Sequence, residues 1–150
     1  MKKLNTKAGF TLAELLIVVA IIAVLVAIAI PVFTTRLEAS RETTDIANLR
    51  SAYASAQVTA LSGLEEGTAI ADDTDYYYDP NDGDGLVSTT SGGAILGQGS
   101  ATNGKADISK LPTGCHYNRT DNVSGKRIAI QFKSGAVKSV QFENFSADES

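Results

Sequence analysis

The stretch KAGFTLAELLIVVAIIAVLVAIAIPVF, residues 7–33, decides the fold of this chain. From Leu15 to Phe33 no residue carries a charge or a hydroxyl group. A helix over residues 10–33 is about 36 Å long at roughly 1.5 Å per residue, enough to cross the hydrocarbon core of a bilayer. Glu14 is therefore unexpected, because an ionised carboxylate within an apolar span costs about 2.5–3.5 kcal/mol on insertion scales.

The size and charge of the chain limit its functions. Its 150 residues fit a single domain, and outside the apolar segment they leave material for only a small core. The net charge is −4, and without Lys2, Lys3 and Lys7 the remaining 10 basic and 17 acidic residues give −7. An acidic body argues against nucleic-acid binding by the isolated chain.

Composition alone leaves the role of the apolar segment open. It is compatible with a secretory signal peptide cleaved near Ala27-Ile28-Ala29, or with a plain single-span anchor. The lysines that precede an anchor stay on the cytoplasmic side, which places the C-terminal body outside the membrane. Neither interpretation explains why a carboxylate, Glu14, stands at the edge of the apolar run.

The residues around Glu14 resemble the class III signal of type IV pilins and their pseudopilin relatives. A short basic leader ends in Gly9, Phe10-Thr11-Leu12-Ala13-Glu14 follows, and a long apolar run comes next. Pro31 falls where many members of this family place a helix-kinking proline. The resemblance implies that a prepilin peptidase cuts between Gly9 and Phe10 and then N-methylates the new amine of Phe10.

Cleavage gives Glu14 a counter-ion. In a filament, its carboxylate can meet the Phe10 amine of an adjacent subunit among tightly packed apolar helices. At an effective dielectric constant of about 20, two unit charges 4 Å apart attract by roughly 4 kcal/mol before desolvation is counted. The pair would therefore select one axial stagger between neighbouring helices, which is the role that the resemblance implies for this glutamate.

The resemblance also implies an organisation and a set of partners. We expect a leader over 1–9, a transmembrane and filament-core helix over 10–33, and a globular domain over 34–150. The partners expected are other copies in a helical filament, the prepilin peptidase, a platform protein, an assembly ATPase, minor pilins and the membrane. The subunit would span the bacterial cytoplasmic membrane before assembly and lie in a surface filament afterwards.

The function expected is therefore structural: a pilus subunit serving adhesion, motility, biofilm formation or DNA uptake. A pseudopilin of a type II secretion-like system is the nearest alternative, and a membrane-anchored binding module is an alternative of another class. The sequence holds no Ser/His/Asp, metal-ligand or phosphate-loop arrangement that would support an enzyme.

Helix is predicted to continue past Pro31 to about residue 62, where Ser62-Gly63 favours a stop. One face of this part carries an apolar stripe: Ile46, Leu49, Tyr53, Ala56, Ala60 and Leu64. The opposite, polar side is assigned Asp45, Asn48, Arg50, Ser51, Ser55 and Thr59. The fold predicted is α+β, with a long helix over about 10–62, kinked near Pro31, packed on a small C-terminal antiparallel sheet.

The C-terminal third gives the clearest β pattern. Residues 126–132 alternate, with Ile128, Ile130 and Phe132 on one face, and Lys133-Ser134-Gly135 reads as a tight turn into a partner strand over 136–144. A third strand is expected from 114–119 or from 106–111.

The region 63–104 is rich in Gly, Asp, Ser and Thr, which predicts irregular structure. Short strands are expected near Tyr76–Tyr78 and Leu86–Ser88. The three tyrosines fit a half-buried strand better than an exposed patch.

The acidic stretch after the tyrosines is a candidate calcium loop. Asp79 and Asn81 fit the first ligand positions, with Asp82 and Asp84 nearby, but Gly83 occupies the third position and no glutamate closes the loop. A solvated acidic turn is the simpler interpretation. No cofactor is expected apart from calcium at this candidate loop.

Cys115 is the only cysteine and His116 the only histidine. An intrachain disulfide is therefore impossible, and a Cys-His dipeptide in a loop is interpreted as incidental rather than catalytic.

Overall fold

The computed structural model describes residues 9–64, 69–83, 85–87, 93–100 and 106–143. Its elements in chain order are α1 (Leu12–Ser62), β1 (Asp75–Tyr78), β2 (Leu86–Val87), β3 (Ile128–Lys133) and β4 (Ala136–Phe142). One long N-terminal helix and one small antiparallel sheet make the fold α+β, as predicted. The chain divides into two units, one up to Thr34 and one from Thr35 onward.

Helix α1 begins two residues later than predicted and ends where predicted. Thr11 precedes the first helical residue and caps it, as described below. At the other end, Gly63 adopts a φ of 80° and its N–H donates to the carbonyl of Thr59 at 2.8 Å. Glycine enters this left-handed conformation without a Cβ penalty, so Gly63 stops the helix.

The sheet has the strand order β2-β1-β3-β4, and all neighbours are antiparallel. Strands β3 and β4 form the predicted hairpin, closed by the pair Lys133 and Ala136. Between them Ser134 and Gly135 both have positive φ, 53° and 76°. Two positive φ values are the mark of a type I′ turn, whose twist matches that of the flanking strands.

The third strand is not where it was expected. Neither 106–111 nor 114–119 forms a strand, and the latter contributes only a single bridge between Cys115 and Val140. Strand β1 pairs with β3 instead and lies in the interior of the sheet. The tyrosines fit this interior position, because Tyr76 and Tyr78 are buried on one face while Tyr77 is half-buried on the other.

The core of the second unit lies between α1 and the sheet. Its buried members are Ile46, Leu49, Ala52 and Ala56 from the helix, Tyr76, Tyr78, Leu86, Ile128, Ile130, Phe132, Val140 and Phe142 from the strands, and Ala106, Tyr117 and Val123 from the connections. The predicted helical stripe is thus the inner face of the helix: its first, second and fourth members are buried, and the others pack against the core partly buried.

The predicted polar side of the helix is partly wrong. Asp45 and Thr59, assigned to that side, are 0% and 2% exposed. Asp45 is buried because the backbone of residues 98–99 and the hydroxyl of Tyr117 approach it. Thr59 satisfies its hydroxyl within the helix by donating to the carbonyl of Ser55 at 3.1 Å.

Candidate processing and assembly site

The N-terminal part of α1 presents an apolar surface on all sides. Its large side chains from Leu12 to Phe33 are all exposed within the unit, and Leu12 retains 88% of its surface. By length and composition the helix can cross a membrane. A helix that is apolar all round requires lipid or other helices around it, so this segment fits membrane anchoring.

Glu14 is bound to its own helix terminus. Its Oε2 accepts hydrogen bonds from the Thr11 backbone N–H at 2.9 Å and from the Thr11 hydroxyl at 2.7 Å. In return, the Glu14 N–H donates to the Thr11 Oγ1 at 3.2 Å. These reciprocal bonds make the capping box Thr-x-x-Glu, which satisfies two backbone donors that the helix itself leaves unpaired.

The predicted processing residues lie directly before this cap. Gly9 and Phe10 are outside the helix and exposed, and Phe10 retains 89% of its surface. Among the described residues, no atom lies within 4 Å of a Cβ added at Gly9. Pro31 lies inside α1, where its carbonyl accepts the Thr34 hydroxyl at 3.0 Å. Cleavage, methylation and the roles of Glu14 and Pro31 in assembly stay predictions.

The second unit contains a feature that the sequence did not reveal: three buried carboxylates in a row on α1. Glu38, Glu42 and Asp45, which we call the acidic row, are 4%, 1% and 0% exposed. Their spacing of four and three residues places them on one helix face. Each receives a backbone N–H from residues 98–100 or from Ala106, so the row fastens these residues to the helix.

Asp45 has the densest set of donors. Its Oδ1 accepts the Gln98 N–H and its Oδ2 the Gly99 N–H, both at 2.8 Å, and the Tyr117 hydroxyl donates to Oδ2 at 3.2 Å. Burial raises the pKa of Asp45, while the N–H donors of Gly99 and Gln98 act against that rise. Burial and the neighbouring Asp45 raise the pKa of Tyr117 as well, so its hydroxyl remains a donor.

Glu38 and Glu42 bind two residues further along the chain, Ser100 and Ala106. The Ser100 N–H and hydroxyl donate to the two carboxylate oxygens of Glu38, and Arg41 lies 3.6 Å from Glu38 Oε2. The Ala106 N–H donates to Glu42 at 3.0 Å. Hydrogen bonds to a charged acceptor are stronger than neutral ones, so these donors offset part of the cost of burying the two carboxylates.

Two glycines allow residues 97–100 to lie this close to helix α1 and to the chain around Val123. A Cβ at Gly99 would lie 2.9 Å from Asp45 Oδ2, and one at Gly97 would lie 1.9 Å from the carbonyl oxygen of Val123. On the side away from the helix, these residues are bound by Val123 and Ser124, whose N–H groups both donate to the Gly99 carbonyl. We call residues 97–100 the strap.

The signal for the acidic row was present in the sequence but ambiguous. Carboxylates at positions i, i+4 and i+7 beside an apolar stripe mark one face, yet such residues on a helix are usually solvated. Their donors come from residues more than fifty positions away. Only the tertiary structure could identify them as buried.

The candidate calcium loop is a tight turn between β1 and β2. Asp79 Oδ1 accepts the Asn81 N–H at 2.9 Å and the Asn81 Nδ2 at 3.1 Å. Asp82 is exposed, and Asp84 lies outside the described residues. Within the described part of the chain, no three His, Cys, Asp or Glu side chains are grouped so as to hold a metal ion. Calcium binding stays a prediction.

Cys115 is a packing residue. It is half-buried against the core, and burial raises the pKa of its thiol to about 11. A thiol with so high a pKa is almost fully protonated near neutral pH and is a poor nucleophile. This agrees with the interpretation of the Cys-His dipeptide as incidental.

One ion pair joins the residue before β3, Arg127, to the residue after β4, Glu143. Arg127 donates to Glu143 through Nε at 3.0 Å and also through Nη2, and its guanidinium lies 4.1 Å from the ring centroid of Tyr77. The Arg127 hydrogen bonds lower the pKa of Glu143 below its ordinary value of 4.5.

Comparison with protein families identifies the N-terminal segment. Residues 4–30 match the prokaryotic N-terminal methylation motif. This motif is the class III signal of type IV pilins and pseudopilins, which confirms the interpretation of this segment. No curated protein and no solved structure matches the chain significantly. The match supports a type IV pilin-like or pseudopilin-like protein, and it is a structural signal rather than an enzymatic one.

Proposed function

We propose that the chain is a structural subunit of a type IV pilus-like filament. One observation carries this proposal: the methylation motif at residues 4–30 includes the start of α1, where the apolar side chains are exposed within their own unit. Such a surface is stable in a bilayer and equally in a bundle of identical helices. Adhesion, motility, biofilm formation and DNA uptake are the uses proposed for the filament.

Assembly would proceed in steps that follow from the segment. Prepilin peptidase removes residues 1–9 and methylates Phe10, and the mature subunit waits in the membrane. A platform protein and an assembly ATPase then move it into the filament, alongside minor pilins. There the Glu14 carboxylate pairs with the Phe10 amine of the neighbouring copy, and Pro31 allows the helix to bend.

The capping box refines the role of Glu14. In the single chain only one carboxylate oxygen, Oε2, is used by Thr11. The other oxygen can accept the charged amine of a neighbour without disrupting the cap. Pairing between subunits and capping of the helix are therefore compatible.

A pseudopilin of a secretion system is the second candidate, because the same motif serves both kinds of protein. The two candidates share processing and helix packing. They differ in the length and surface display of the polymer, which sheared-fibre preparations separate.

The test begins with mass spectrometry of the chain purified from its membrane, which should begin at a methylated Phe10. An N-terminus at Ile30 would support a cleaved signal peptide instead. Electron microscopy of sheared surface fibres then separates a polymer from a monomeric anchor.

Two variants isolate the charge of Glu14. Glu14→Ala removes the charge and the side-chain half of the capping box but leaves Thr11 as the N-cap, because the backbone N–H of residue 14 still donates to the Thr11 hydroxyl. Glu14→Gln removes only the charge, because glutamine also completes a capping box. Both should be cleaved and both should yield few fibres. Normal fibre yield from Glu14→Gln would eliminate the ion pair as the determinant of stagger.

A further inference from the structure

The capping box fixes where α1 begins relative to the predicted cleavage point. The first backbone hydrogen bond of the helix runs from the Leu15 N–H to the Thr11 carbonyl at 3.2 Å. Thr11 is therefore the N-cap, and the peptide group between Gly9 and Phe10 lies outside the helical ladder.

Loss of this cap would give the helix another starting point. Among the residues around the start, Phe10 and Leu12 are poor N-caps, whereas glycine ranks close to threonine. Gly9 is thus the nearest alternative. With Gly9 as N-cap, its carbonyl would accept the Ala13 N–H, and the bond to be cut would lie in the first helical turn.

Hydrolysis requires an accessible carbonyl at that bond. Water attacks the Gly9 carbonyl carbon, the bond to the Phe10 nitrogen breaks, and the hydroxyl remains on the Gly9 carboxyl while a proton passes to the Phe10 amine. A carbonyl held in a helical hydrogen bond must first be released from it. A helix that starts at Thr11 leaves this carbonyl available.

We propose that Thr11 is a positioning residue for processing: by capping α1, it keeps the Gly9–Phe10 peptide out of the helix for the peptidase. This inference rests on the proposed function, since it presumes that prepilin peptidase cuts there. It concerns the substrate conformation and assigns no contact between Thr11 and the enzyme.

The experiment compares cleavage of the full uncleaved chain in detergent micelles by a prepilin peptidase. Thr11→Val removes the hydroxyl at nearly constant size, while Thr11→Ser and Thr11→Asn keep an N-cap with different shapes. We expect kcat/KM to fall about fivefold for valine, the factor typical of losing an N-cap side chain, and to stay within about twofold for serine and asparagine.

A second measurement reads the conformation directly. In the uncleaved chain, the Cα chemical shifts of Gly9 and Phe10 should become helical in the valine variant and remain non-helical in the serine and asparagine variants. A defect of general stability would change cleavage without moving the start of the helix.

Three results would overturn the inference. They are wild-type cleavage of Thr11→Val, slow cleavage of that variant with Gly9 and Phe10 still non-helical, and cleavage of Thr11→Asn as slow as that of the valine variant. The last would mean that the enzyme contacts the threonine itself. If the wild-type chain were not cut at all, the proposed function would fail, and this inference with it.

Discussion

Replacement of Asp45 by asparagine tests whether the acidic row holds the strap. The carboxylate accepts two backbone N–H groups at 2.8 Å and the Tyr117 hydroxyl at 3.2 Å. Asparagine has nearly the same shape, but only one of its two terminal atoms accepts hydrogen bonds. Its NH₂ group must face a donor, so either the Gln98 or the Gly99 N–H loses its partner.

Opposing effects determine how much Asp45→Asn lowers the free energy of unfolding. A buried donor left without a partner costs about 1–3 kcal/mol. The Tyr117 hydroxyl can turn and accept from the new amide, so that bond is retained. Removing a buried charge is favourable, in line with the raised pKa of Asp45, and offsets part of the loss. We therefore expect the free energy of unfolding to fall by about 1 kcal/mol, at the lower end of that range.

Urea unfolding of the full chain in detergent, followed by near-UV circular dichroism of its five tyrosines, measures this change. Asp107→Asn is the matched control: that carboxylate is exposed and accepts from the N–H and hydroxyl of Ser109, so the free energy of unfolding should change by less than about 0.5 kcal/mol. Amide exchange at Gln98 and Gly99 should accelerate in Asp45→Asn alone. Equal stability of wild type and Asp45→Asn, with unchanged exchange, would refute the fastening role of the row.

Three other perturbations have defined outcomes. Gly97→Ala places a Cβ 1.9 Å from the Val123 carbonyl oxygen, so urea unfolding should show a loss of about 3 kcal/mol or more. Because Arg127 lowers the pKa of Glu143 in the folded state, their pair stabilises the protein above the ordinary glutamate pKa of 4.5, and this contribution is lost as pH falls through the lowered value. Unfolding midpoints of Glu143→Gln should accordingly depend less on pH below 4.5 than those of wild type. If the acidic turn after β1 binds calcium, a chelator should lower the melting temperature of wild type but not of Asp82→Ala, and equal melts with and without chelator would exclude that site.

The elements with strong local patterns were predictable. The first half of helix α1 follows from its long apolar run, the second half from an apolar stripe with a period near 3.6, and its end from the glycine at position 63. The β3–β4 hairpin follows from alternation on either side of Ser134-Gly135. These signals depend on residues close together in the chain, so the sequence displays them directly.

The sheet order and the acidic row were not predictable in the same way. Strand β1 pairs with β3 across more than fifty residues, and the pattern of β1 alone does not choose between β3 and another partner. Asp45 reads as a surface residue because charge on a helix normally faces water. Its burial depends on backbone donors from a glycine-containing segment whose path has no local signature.

The strap also determines which parts of the outer surface can change. In the acidic row, Asp45 accepts hydrogen bonds from the backbone N–H groups of Gln98 and Gly99. Every amino acid except proline supplies such an N–H group. The outward side chain at Gln98 can thus be exchanged freely, whereas the two glycines cannot. Single substitutions at this exposed position should therefore change the local surface and leave the hydrogen bonds beneath it intact.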